Sequence, residues 1–182
     1  MIDGYTPLVP AETFPIGAIF SVHYFEYTSD YAFEGESHDF WEFCYVDKGQ
    51  IEITAGQEDL VLQKAQILFH PPGEFPSLRA NGKVAPNPVV ASFSSEGPMM
   101  QWFGRRVRTV GDTERTLLAR LVDEAGDAFL SPLDDPELKQ LERRMNAPPG
   151  AEQVIKLCLQ QLLIELYRAG QQPEAPKQRP SS

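Results

Sequence analysis

Few residues of this 182-residue chain could do chemistry, and their types point to binding rather than to a catalytic set. The histidines are His23, His38 and His70. Glu42 lies inside the apolar run Phe40–Val46, and a carboxylate on the inner face of a sheet is costly unless it meets a cation or hydrogen-bond donors. Residues two apart in a strand share a face. Phe40, Glu42, Cys44 and Val46 should therefore face a barrel interior, with Trp41, Phe43 and Tyr45 turned outward as a seat for helices. Glu42 could pair with Arg79, or hold the hydroxyls or amine of a ligand. His23 and Phe25 on an earlier strand, Phe69 or His70 before a proline turn, and Arg79 complete the ligand-site candidates. Each also has a plain structural use: His23 in the core, His70 capping the Pro-Pro turn, Arg79 in solvent. Cys44 makes a poor nucleophile, because no basic neighbour lowers its pKa and thiols in apolar strands are inert. Neither a Gly-rich phosphate loop nor a Gly-x-Ser-x-Gly elbow is present.

The elements that must position these residues follow from the hydrophobic pattern. Residues 1–15 contain Pro7, Pro10 and Pro15 without periodicity and read as an arm. Ile16–Tyr27 is rich in β-branched and aromatic residues, as strands are. Phe40–Val46, Ile51–Thr54, Leu60–Leu62, Ile67–His70 and Val89–Phe93 read as further strands. Between them lie short turns such as Asp47-Lys48-Gly49-Gln50, where glycine can supply a positive φ. Closely spaced short strands of this kind argue for a sandwich or barrel of antiparallel pairs over residues 16–97.

From residue 98 the pattern turns helical. Thr113–Phe129 carries an apolar stripe at Leu117, Leu118, Leu121, Val122 and Ala125, with Asp112 or Thr113 available as a cap. Glu137–Met145 is expected to be a second helical piece opened by Pro136. Ala151–Ala169 is the last helix, with Ile155, Leu159, Leu162 and Leu166 at coiled-coil spacing and further apolar residues around them. A helix so apolar needs two partners, so it is expected to be shared between the barrel and a second copy, with those four residues at the dimer interface; the alternative is a helix sunk in a monomer core. The segment 98–169 is accordingly a helical dimerisation segment, and 170–182 a polar, flexible linker.

Charge divides unevenly. Residues 1–97 hold 14 Asp/Glu against 4 Lys/Arg, a net of −10, whereas residues 98–182 hold 12 of each. Phosphate contacts need a clustered basic face, so this chain should not bind DNA by itself. Arg105, Arg106 and Arg108 form a small basic cluster suited to a solvated loop or to a partner domain. No apolar run approaches the roughly 20 residues that span a bilayer, and the N-terminus does not resemble a secretory signal. With Cys44 and Cys158 the only cysteines and both in apolar surroundings, a reducing, cytoplasmic setting is expected.

Two runs carry a resemblance. Glu36-Ser-His38-Asp-Phe40-Trp-Glu42 through Gly49 resembles the first cupin motif as it occurs in sensor domains of AraC-family transcription regulators. Leu62 through His70-Pro71-Pro72-Gly73-Glu-Phe-Pro76 resembles the second. The resemblance runs from about residue 16 to residue 169 and includes the final helices. It implies a cupin-like (jelly-roll) β-barrel that senses a small-molecule effector, followed by a homodimerising helical segment, in a cytoplasmic protein that meets DNA only through a helix-turn-helix part after the linker. The given sequence stops at Ser182, inside such a linker, which leaves a sensor fragment and a stand-alone relative both open.

The same resemblance assigns metal-ligand positions, and here the sequence departs from it. Glu36 stands at the first histidine position, His38 at the second, Glu42 at the carboxylate and Pro76 at the last histidine. Glu36, His38 and Glu42 could still form a two-carboxylate, one-histidine site for an oxygen-loving ion. With two of the four positions changed, the expectation is no cofactor and no enzyme. A small cupin enzyme with a degenerate metal site, or a stand-alone ligand-binding cupin protein, is the alternative.

Overall fold

A computed structural model of the chain describes residues 4–33, 38–55, 57–74 and 76–172. Glu36 and linker residues 173–182 lie outside the described residues. The β region comprises β1 (Ile19–Tyr24), β2 (Ala32–Phe33), β3 (Trp41–Lys48), β4 (Gln50–Ala55), β5 (Glu58–Gln63), β6 (Gln66–His70), β7 (Ser77–Ala80) and β8 (Asn87–Phe93). A 3₁₀ turn, Pro98–Phe103, and β9 (Val107–Thr109) lead to the helices α1 (Asp112–Ala128) and α2 (Ala151–Gln171). The strands form two antiparallel sheets, one ordered β1-β8-β3-β6-β9 and the other β2-β7-β4-β5. The fold is mainly β with C-terminal helices, a cupin-like jelly roll.

Alternation along β3 separates two cores. Trp41, Phe43 and Tyr45 join Phe69, Ala91 and Phe93 beneath α1 and α2. Cys44 and Val46 join Ile51, Ile53, Leu62, Leu68, Leu78 and Val90 between the sheets. The result is three layers, helices on a five-stranded sheet on a four-stranded sheet, each apolar face covered by the next. The tight β3–β4 turn needs Gly49 at φ +76°, where an added Cβ would come within 3.0 Å of the Ala85 carbonyl oxygen.

Several expectations change. α1 starts at Asp112 with Gly111 as its cap residue and no side-chain cap, so neither Asp112 nor Thr113 serves that role. Residues 137–145 contain turns and no helix. Instead this stretch folds back on the end of α1, with the Leu130 N–H donating to the Glu142 carbonyl (2.8 Å) and the Arg144 N–H to the Ala128 carbonyl (2.9 Å). β9 extends the five-stranded sheet from a stretch expected to be a solvated loop or a helix start. Ile155, Leu159, Leu162 and Leu166 are each 0–1% exposed within the single chain. α1 and the outer face of the barrel already cover them, so the expected assignment of these four to a dimer interface is corrected. The arm ends anchored: Phe14 packs edge-on against Phe103 at 5.5 Å, and its carbonyl accepts a hydrogen bond from Gln160 Nε2 at 3.3 Å.

Candidate functional site: a cavity at the mouth of the barrel

The inward residues of the five-stranded sheet become polar toward one end. Register places Ser21 of β1 opposite Ser92 of β8, and Ser92 opposite Glu42 of β3. Side chains directly opposite across antiparallel strands lie on one face within hydrogen-bonding reach. The Ser21 hydroxyl donates to Ser92 Oγ at 3.0 Å, and the Ser92 hydroxyl donates to Glu42 Oε2 at 3.0 Å. Burial raises the Glu42 pKa, and the Ser92 hydrogen bond opposes that shift only in part.

This row forms the floor of a cavity of about 560 Å³. One wall is a stack of rings, Phe20 on Phe40 at 4.1 Å and Phe40 on His38 at 4.5 Å. A second wall stacks His23, Phe25, Tyr27 and Tyr31, with centroids 4.8, 4.8 and 3.5 Å apart in turn. Pro76, Leu78 and Val90 complete the lining. Pro136, Glu137, Leu138 and Lys139 close over it from the α1–α2 connection. The connection is held there by its own backbone: the Leu133 carbonyl accepts from the Tyr24 N–H at 3.1 Å and from His23 Nδ1 at 3.2 Å. Burial lowers the His23 pKa, against the opposing effects of the Leu133 carbonyl and Asp135.

Four of the expected ligand residues, His23, His38, Phe40 and Glu42, meet in this cavity, and Phe25 joins them. Three do not. Arg79 lies on the outer face of the four-stranded sheet, where its Nε donates to Glu52 at 2.9 Å, so it does not partner Glu42. Phe69 points into the core under the helices. His70 sits opposite Glu42 in register but is sealed at 2% exposure beyond the cavity lining. Its Nδ1 is 3.9 Å from Glu74 Oε1, too long for a hydrogen bond, and burial pushes its pKa down to about 4. Glu74 in turn meets Arg105 at 3.4 Å. Arg106 and Arg108 lie over the Trp102 ring, 5.1 and 4.5 Å from its centroid.

Sequence reasoning missed Ser21 and Ser92, Tyr27 and Tyr31, and the 136–139 cover. Two-residue spacing from His23 already pointed to Tyr27. Ser92 could be found only through its cross-strand register. Burial raises the Cys44 pKa further, which removes thiolate chemistry from the barrel. Among the described residues no three His, Cys, Asp or Glu side chains converge as metal ligands. His38 stacks on Phe40, Pro76 offers no donor atom, and Glu36 lies outside the described residues.

No protein-family model matches the sequence, and no curated protein sequence matches it. Solved structures do match in fold. Apo ToxT K231A from Vibrio cholerae strain SCE256 overlays with a TM-score of 0.54 at 8% identity, covering 85% of this chain. This chain spans 58% of that protein's length. A Cupin 2 conserved barrel domain protein from Salinispora arenicola CNS-205 overlays in part, over 45% of this chain and 66% of that one, at 12% identity and a TM-score of 0.34. At such identity the likeness to ToxT is one of fold alone.

Proposed function

We propose that this chain is the effector-sensing and dimerisation domain of an AraC-type transcription regulator, taking a small molecule in the barrel cavity. The observation that carries this is the cover of the cavity. Pro136–Lys139 belongs to the connection that leads directly into α2, so a ligand touching the cover acts on the segment that sets the start of that helix. Arg143 reinforces the link, with its Nε donating to Glu152 of α2 at 2.7 Å. A ligand that prefers one position of the cover shifts the population of arrangements of α2 by as much as its affinity differs between them. Resemblance of the two motif runs to AraC-family sensor domains supports the regulatory half. A homodimer contact then falls to the outward side of α2, where Leu157 is 55% exposed.

A thermal-shift screen of the purified chain against sugars, amino acids, aromatic acids and amines tests the binding half. At 100 times its dissociation constant a ligand adds about 2.7 kcal/mol of stability. That gain should vanish in Val90→Trp, which fills the cavity. A ligand that stabilises both proteins equally places binding elsewhere and overturns the barrel site. Fusion to a DNA-binding domain that requires dimerisation tests the regulatory half: the ligand should change reporter repression, and an unchanged reporter with proven binding rejects it.

A further inference from the structure

The hydrogen-bond polarity at the floor of the cavity restricts what can bind there. A serine hydroxyl has one proton and two lone pairs. The Ser21 proton is spent on Ser92, and the Ser92 proton on Glu42. With Glu42 ionised by an incoming cation, what this row can still offer a ligand is lone pairs: those of the serine oxygens and of the Glu42 carboxylate. His23 adds to the same set. Its Nδ1 faces the Leu133 carbonyl oxygen at 3.2 Å, and a carbonyl can only accept, so the proton is on Nδ1. Burial favours the neutral ring, in which the other nitrogen, Nε2, is an acceptor.

We propose that the barrel cavity selects a compact organic cation, a protonated amine or amidinium carried on an aromatic body, with its N–H groups on Glu42, the serine oxygens and His23 Nε2. An ammonium has three donors and no acceptor, the complement of this floor. The two walls of stacked rings supply apolar surface for a body of one or two rings. Glu42 makes the ammonium contact a charge-assisted one, roughly twice as strong as a neutral hydrogen bond. A carboxylate ligand meets the reverse: lone pairs facing lone pairs, and one buried acid facing another. Tyr27, Tyr31, His38, Glu137 and Lys139 also border the cavity, and they lie on its ring walls and cover rather than in the serine–glutamate row. This proposal rests on the cavity being the effector site and adds the chemical class of the effector.

Isothermal titration with four probes tests it: 2-phenylethylamine and benzamidine as cations, 2-phenylethanol as the neutral counterpart, and phenylacetate as the anion. The cations should bind at least about tenfold more tightly than the alcohol, and phenylacetate should not bind detectably. Glu42→Gln should remove the preference for the cations, weakening them by at least about tenfold and by more than it weakens the alcohol. Glu42→Asp, which keeps the charge, should retain the preference, and unchanged circular dichroism of both variants separates a binding loss from misfolding. The cation class is overturned by phenylacetate binding as tightly as the amine, by Glu42→Gln leaving amine affinity unchanged, or by neither cation binding at millimolar concentration. If a neutral or acidic ligand from the wider screen is then lost in Val90→Trp, the barrel-sensing function stands without this ligand class. If a bound ligand is indifferent to Val90→Trp, the sensing function itself fails.

Discussion

The two faces of the five-stranded sheet share the same strands and differ in what their alternate residues are for. The face toward the helices is apolar throughout, with Phe43, Phe69 and Phe93 each 0% exposed. The opposite face begins equally apolar at Val46 and Leu68, then turns polar along Glu42, Ser92 and Ser21 where the cavity opens. A face packed to crystal-like density stabilises and tolerates little change. A face that keeps a carboxyl and hydroxyls beside a cavity gives up stability and gains a place to bind.

The sharpest way to break this comparison is on the helix face. Phe69→Ala should cost about 3–5 kcal/mol by removing a fully buried ring, measured by urea unfolding. Glu in place of Leu159 and Leu166 should unfold the chain rather than leave a soluble monomer, because both positions are 1% exposed within it. A well-folded monomer from that double variant would show that α2 is not sealed against its own barrel.

The next largest effect comes from the sealed histidine. His70 titrates near 6.5 when unfolded and is lowered to about 4 when folded, so the unfolded state binds the proton first as pH falls. Stability is therefore full above pH 6.5 and declines as pH drops toward 4, by roughly 3 kcal/mol at 1.36 kcal/mol per pKa unit. His70→Phe should flatten this part of the pH–stability curve. A curve of unchanged slope would show that other groups carry the acid sensitivity.

Smaller changes sharpen the polar face. Glu42 has its pKa raised by burial, so its folded form disfavours the charge, and its contribution is lost as pH rises past the ordinary glutamate range. Glu42→Gln should raise stability at neutral pH by about 1 kcal/mol while weakening ligand binding, the usual trade at a functional polar group. A loss of stability instead would make Glu42 structural. The smallest effect belongs to the outer surface of α2: Leu157→Glu should change unfolding free energy by less than about 0.5 kcal/mol, and should halve the mass in solution if this surface joins two copies. An unchanged mass, measured by light scattering, would remove α2's outward side as the dimer contact.

Much of this contrast was legible in the order of residues. Two-residue alternation through 40–46 separated Phe40, Glu42 and Cys44 from Trp41, Phe43 and Tyr45, and the structure keeps that division. The β3–β4 turn at Gly49 and the extents of α1 and α2 followed from glycine placement and helical periodicity. The segment 137–145 did not, because Pro136 permits both a helix start and a turn, and the hydrogen bonds of Glu142 with Leu130 and of Arg144 with Ala128 decided between them. β2, β7 and β9 have 2, 4 and 3 residues, too few for a period to show.

By itself the sequence determined which residues could share a face, since side-chain alternation is local backbone geometry. Only the tertiary structure decided which of those faces met. Strand register brought Ser92 beside Glu42 and carried Arg79 to Glu52 on the outside. Packing of α1 over α2 turned an all-round apolar helix into core. Both outcomes depend on contacts between residues tens of positions apart, which no local pattern records.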